Sequence, residues 1–166
     1  MQGFKDRAPG APRGGRGDDG SNPYEGVPGA GRFKDAQSNM MCQQPPWGTL
    51  TAVNVNTGKF AWRVPLGVTD GLPPDKQKTG RPNSGGSIAT AGGLVFIGAA
   101  DDGRFRAFDA RTGRELWAIK LGASAHATPS TYQGRDGKQY VVITSAAGGF
   151  LESPLTDDSI TAFTLP

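Results

Sequence analysis

Apolar residues along this chain come in short stretches, each closed by Gly, Pro, Asn or Asp. Leu50–Val53, Leu94–Ile97, Phe105–Phe108 and Val141–Thr144 are of this kind. Runs of that length with turn residues at both ends predict β-strands. No window carries the pattern of a long amphipathic helix, and no apolar run approaches the ~20 residues that span a bilayer. Residues 1–40 contain almost no paired apolar positions and are dense in Gly, Pro, Arg and Asp, which predicts loop or disorder. A second connector rich in Pro, Gly and Lys runs from Val68 to Pro82. The expected division is therefore a flexible segment over 1–40 and a folded β region over 41–166.

The strand pattern repeats. Gly48-Thr-Leu-Thr-Ala-Val-Asn-Val-Asn-Thr-Gly-Lys-Phe-Ala-Trp62 aligns without a gap on Gly103-Arg-Phe-Arg-Ala-Phe-Asp-Ala-Arg-Thr-Gly-Arg-Glu-Leu-Trp117, at an offset of 55 residues. Both copies run on to Leu-Gly, at Leu66-Gly67 and Leu121-Gly122. The same offset places Ser159–Phe163 on Arg104–Phe108 as the start of a third copy. Within each copy, Asn56-Thr57-Gly58 or Arg111-Thr112-Gly113 reads as a tight hairpin turn, with Gly supplying the positive φ. Asn54 and Asp109 are placed to accept hydrogen bonds from the turn backbone. A further strand pair precedes each later hairpin: Ser87–Ala91 with Leu94–Gly98, and Ala127–Tyr132 with Lys138–Thr144. Four strands per unit of about 50 residues is the signature of a propeller blade. The fold class is all-β, a partial β-propeller of about two to three four-stranded blades, with Trp62 and Trp117 expected to be buried between blades.

Composition changes this picture little. Hydrophobic residues make up 36% of the chain, with 26 Gly and 13 Pro, which suits short strands and many turns. The net charge of +3 does not by itself imply a polyanionic partner, and no nucleic acid is expected. Arg13-Gly-Gly-Arg-Gly17 is one short RGG-like element beside Asp18 and Asp19, and a solvated linker accounts for it. Met1–Gly20 lacks the apolar core of a signal peptide, so the chain is either cytoplasmic as written or a piece whose export signal lies upstream. Cys42 has no second Cys to pair with. His126, the only histidine, stands apart from any Cys or acidic cluster and reads as a loop residue. Asp157-Asp158 reads as a loop before the last strand.

The pattern Ala-x-Asp/Asn-x-x-Thr-Gly-x-x-x-Trp, at Ala52–Trp62 and again at Ala107–Trp117, resembles the tryptophan-docking motif of quinoprotein dehydrogenases. Their eight blades ring a pyrroloquinoline quinone (PQQ) cofactor. Cys42-Gln-Gln-Pro-Pro-Trp-Gly48 resembles a segment of the membrane-bound glucose dehydrogenase branch. Ile88–Gly98 and Gly137–Val142 resemble the last blades across the family. The likeness covers about residues 40–166 and implies the C-terminal end of an enzyme that oxidises a small alcohol or an aldose sugar. Electrons would pass to ubiquinone or a cytochrome, on the periplasmic side. In that family a calcium ion polarises PQQ and an Asp acts as base, both on earlier blades. The resemblance therefore implies no catalytic residue and no metal ligand in this chain, with Ca²⁺ held by the missing upstream blades. It also implies that the chain is inactive alone. Two stretches match positions that line the quinone: Asn83-Ser84-Gly85-Gly86, leading into an innermost strand, and Ala147-Gly148-Gly149-Phe150, after Val141–Thr144. Within them Asn83, Ser84, Gly85, Gly86, Gly149 and Phe150 are the expected cofactor contacts. Asp102, in the turn Asp101-Asp102-Gly103, matches an Asp near the cofactor in the glucose branch. Two further readings are a non-catalytic quinoprotein-like propeller used for protein contacts and a truncated inactive piece.

Overall fold

The computed structural model describes Asp35, residues 40–146 and residues 156–164. The chain forms two compact units, Met1–Cys42 and Gln43–Pro166. In the first, only Asp35 and Met40–Cys42 are described; the Asp35 amide donates to the Met40 carbonyl at 2.8 Å. The expectation of a flexible segment over 1–40 lies almost wholly outside the described residues.

The second unit is built of antiparallel strands in three sheets. β1 (Thr49–Val53) pairs with β2 (Phe60–Pro65). β3 (Ser87–Ala89), β4 (Leu94–Ile97), β5 (Arg104–Asp109) and β6 (Glu115–Lys120) form a four-stranded sheet in chain order. β7 (Ser130–Gln133), β8 (Gln139–Ala146) and β9 (Asp158–Thr164) form the third. The helical content among the described residues is one 3₁₀ turn at Pro74–Lys76, in the connector before β3. No helix among them is long and apolar enough to cross a membrane.

Two cores lie between the sheets rather than within one. Leu66, Ile97, Ala99, Ala100 and Phe108 are buried together, with Leu50 and Val64 packed on them from the first sheet. Phe105, Ala125, Val141 and Ile143 form the other, with Phe96, Leu121 and Phe163 at its margin. Phe105 and Phe108 are three positions apart on β5, so the alternation of a strand sends them to opposite faces. One strand thus supplies the largest apolar side chain to each core.

The hairpins follow from the repeated sequence. In both copies the residue before the turn, Asn54 or Asp109, closes it by accepting the amide of Gly58 or Gly113 at 2.8 and 2.9 Å. Its side-chain oxygen takes a second amide, from Asn56 or Arg111, at 3.0 Å in each. Gly58 and Gly113 have φ of +67° and +70°, a region open to Gly at little cost.

The indoles depart from expectation. Trp62 is half-buried: its Nε1–H donates to the Ala110 carbonyl at 2.9 Å, and its ring lies where a Cβ on Gly113 would stand. Trp117 is 37% exposed and meets Phe105 and Phe163 edge-on, at centroid distances of 6.0 and 5.3 Å. Both bridge neighbouring sheets, but neither is sealed. An indole laid across the outer strand of a sheet keeps one side in solvent.

Candidate cofactor wall

Three segments meet at one end of the sheets: the run leading into β3, the β4–β5 loop, and the loop after β6. Antiparallel order brings them together, since β3 and β5 begin at the end where β4 and β6 finish. Asn83 bridges to Ala100, and the Ser84 amide donates to the Ala99 carbonyl at 3.0 Å. The Ala99 amide in turn donates to Ala125 at 2.7 Å. Ala99 has φ of +56°, uncommon for a residue with a Cβ, and is held there by bonds at both its amide and its carbonyl.

His126 sits at the meeting point. Its Nδ1 lies 3.0 Å from the Ser84 carbonyl and 3.1 Å from the Ala99 carbonyl. Its Nε2 is buried without a partner among the described residues, as is the Ser124 hydroxyl two residues earlier. Ser145 secures the loop from the far side, donating to the Ala123 carbonyl and accepting its amide, both at 2.9 Å.

The glycines here answer to their own chain. A Cβ on Gly85 would fall 2.7 Å from the His126 carbonyl oxygen, and one on Gly86 would strike the Thr128 hydroxyl. Asn83 and Gly85 are exposed, while Ser84 and Gly86 are half-buried. The run therefore shows one edge to solvent and presses the other on the β6–β7 loop. Asn83 also donates its side-chain amide to the Arg81 carbonyl at 3.2 Å. Ala147–Phe150, and with it Gly149 and Phe150, lies outside the described residues.

Asp102 is engaged by its own chain. Its carboxylate is 3% exposed and paired with the buried Arg106 through both oxygens, and it accepts the Val68 amide at 2.8 Å. Arg106 reaches on to Glu115 at 3.0 Å. A buried guanidinium is retained where a carboxylate answers it in a forked geometry. Arg81 pairs with Asp101 at 2.7 Å, and Arg104 with Asp70 at 2.8 Å. The Arg104 hydrogen bond, helped by Lys120 and opposed by some burial, holds the Asp70 carboxyl below its ordinary range. Among the described residues no three His, Cys, Asp or Glu side chains gather as a metal site.

This arrangement suits one side of a planar ligand: exposed residues at Asn83 and Gly85, a rim of arginines already paired with carboxylates, and two buried polar atoms without a partner among the described residues. The family profile described as "PQQ: Glucose/ethanol/alcohol dehydrogenase, beta-propeller domain" matches residues 4–141. The chain belongs to the PQQ-dependent quinoprotein dehydrogenases. It is 41% identical over 157 residues to a probable quinate dehydrogenase (quinone) of Xanthomonas campestris pv. juglandis, covering 89% of this chain and 20% of that protein. It is 38% identical over 163 residues to the glycerol dehydrogenase large subunit of Gluconobacter thailandicus, covering 92% and 22%. The quinohemoprotein alcohol dehydrogenase of Comamonas testosteroni superposes with a TM-score of 0.54 at 30% identity, over 70% of this chain and 16% of that one. The chain thus spans about a fifth of the length of the curated relatives it matches, and its sheets of two, four and three described strands are part of a quinoprotein propeller.

His126 lies in the β6–β7 loop, as its sequence context suggests, but its contacts could not be read there. Its partners are two main-chain carbonyls, which leave no mark in a sequence. The run Asn83–Gly86 and Asp102 stand as expected cofactor contacts through resemblance alone.

Proposed function

We propose that these residues form the last blades of a PQQ-dependent dehydrogenase, with the fold beginning near residue 41, and that they supply one side of its cofactor pocket. The observation that carries the reading is the meeting of Asn83–Gly86, the Ala99 corner and the loop bearing His126, in a chain matched by a PQQ propeller profile over most of its length. PQQ, when bound, is a two-electron acceptor for an alcohol, and the protein's part is to bind and orient it. Ser84, Gly85 and Asn83 would offer main chain and an amide to its plane, with Gly149 and Phe150 completing the wall. Asp102, fixed by Arg106, would order the rim behind them. The substrate would be a small alcohol or a sugar, in keeping with relatives named for quinate, glycerol and glucose. Electrons would pass to a quinone, a word two of the relatives' names carry, or to a cytochrome, on the periplasmic side. Ca²⁺ ligands and the catalytic base would come from upstream blades. Trp62 and Trp117 would serve as docking residues between blades.

The test uses two proteins. Residues 1–166 alone, given PQQ, Ca²⁺ and a panel of alcohols and aldoses, should leave a dye acceptor unreduced. The complete polypeptide carrying these residues should reduce it in a saturable, PQQ-dependent manner. Turnover by residues 1–166 would refute the division of labour, and a complete polypeptide that does not bind PQQ would refute the enzyme reading and favour a propeller scaffold.

A further inference from the structure

We infer that His126 is a positioning residue for the cofactor wall, locking the run Asn83–Gly86 to the Ala99 corner through a single shared N–H. The inference rests on the quinoprotein reading of that wall.

Both neighbours of Nδ1 are carbonyl oxygens, at 3.0 and 3.1 Å. Carbonyls only accept, so the proton must be on Nδ1. The geometry therefore places a ring proton on Nδ1, while Nε2 is buried with no partner among the described residues. The backbone of the same residue matters as well, since the His126 carbonyl is what a Cβ on Gly85 would strike. Ring and main chain of one residue thus touch both Ser84-Gly85 and Ala99. Ala99 at φ +56° sits in a backbone region that needs such support. With the imidazole removed, the Ser84 carbonyl loses the donor that fixes its direction. The peptide between Ser84 and Gly85, which the wall presents to a planar ligand, is then free to turn.

Two amide side chains separate this role from bulk. Asn places its nitrogen near the position of Nδ1, and Gln near that of Nε2. His126→Asn should therefore keep the lock, whereas His126→Gln and His126→Ala should break it. In the complete polypeptide, PQQ titrated against tryptophan fluorescence should bind about tenfold more weakly to the Gln and Ala variants, the loss expected from one buried hydrogen bond. The Asn variant should stay within about threefold of wild type, with thermal melts showing each variant folded. An independent reading comes from residues 1–166 labelled with ¹⁵N-histidine. His126 is the only histidine there, so its two ring nitrogens need no further assignment. Nδ1 should resonate as a protonated nitrogen. A bare Nδ1, or equal PQQ affinity in all three variants, overturns the lock and leaves the quinoprotein reading intact. Failure of the wild type itself to bind PQQ overturns that reading, and the lock with it.

Discussion

The hairpins β1–β2 and β5–β6 share a backbone. Ala52 faces Trp62 as Ala107 faces Trp117, and the register slips at the same step in each, between Ala52 and Val53 and between Ala107 and Phe108. The bond that follows the return strand also repeats, from the Leu66 amide to Gly48 at 3.0 Å and from Leu121 to Gly103 at 2.8 Å. Their surroundings differ. β5 lies between β4 and β6, and Phe105 and Phe108 are 0% and 2% exposed. At the matching places on β1, Leu50 is only half-buried and Val53 is 50% exposed. The repeat unit fixes turn and register through contacts inside itself. Burial is set by what the neighbouring sheets bring to it. Equal sequence thus gives equal shape without equal stability.

The widest gap between the hairpins should appear in their cores. Phe105→Ala should destabilise by about 3–5 kcal/mol, as expected for a fully buried aromatic. Leu50→Ala should cost about 1–2 kcal/mol, since part of its area is already in water. Urea unfolding of the two variants measures the difference, and equal losses would show that the two strands are equally buried.

The turns sharpen the same contrast. Gly58 and Gly113 adopt the same left-handed φ, and among the described residues nothing lies within 4 Å of a Cβ on Gly58. On Gly113 that Cβ would lie 2.6 Å from the Trp62 ring. Gly58→Ala should cost about 1–2 kcal/mol, the strain of a left-handed residue alone. Gly113→Ala should cost that and the displacement of the indole besides, and should shift tryptophan emission where Gly58→Ala does not. Matching emission spectra for the two variants would break the comparison.

The smallest effect concerns the connector that leads from the first hairpin to the second sheet. Asp70 is held below its usual value near 3.8 by Arg104 first and Lys120 next. A carboxyl lowered in the folded state adds stability that is full above its unfolded value and is lost as pH falls through the folded one. Stability should therefore decline slightly more steeply below about pH 4 in wild type than in Asp70→Asn. The pair is largely solvent-exposed, so the difference should be about 0.5 kcal/mol after screening. Parallel acid titrations followed by circular dichroism would reveal it, and superimposable curves would show that Asp70 does not clamp the connector.

Much of the fold was legible in the sequence because the repeat writes its hairpins locally. Asn54 and Asp109, the glycines after them and the tryptophans beyond stand at fixed spacing, and the structure closes both turns in the same way. The inner strand pairs were equally readable, bounded by Gly92-Gly93 and by Gln133–Gly137. Exposure of the tryptophans was misjudged, because a recurring aromatic signals contact but says nothing of how much water remains beside it. The buried pairing of Asp102 with Arg106 and the placing of His126 were not legible. Each depends on loops from separate strands converging at one end, and the partners of His126 are backbone atoms common to every residue.

The seat of Trp62 against Gly113 has one more consequence. Both full copies of the unit carry an indole near their end and, a few residues earlier, a glycine turn, and the indole of the first copy seats on the turn of the second. Duplicating one stretch of gene copies both halves of the joint at once, so a new copy arrives already fitted to the one before it. The turn glycine is thereby bound twice over, once by the bend it makes and once by the neighbour it admits. A change tolerated by the bend can still be refused by the joint.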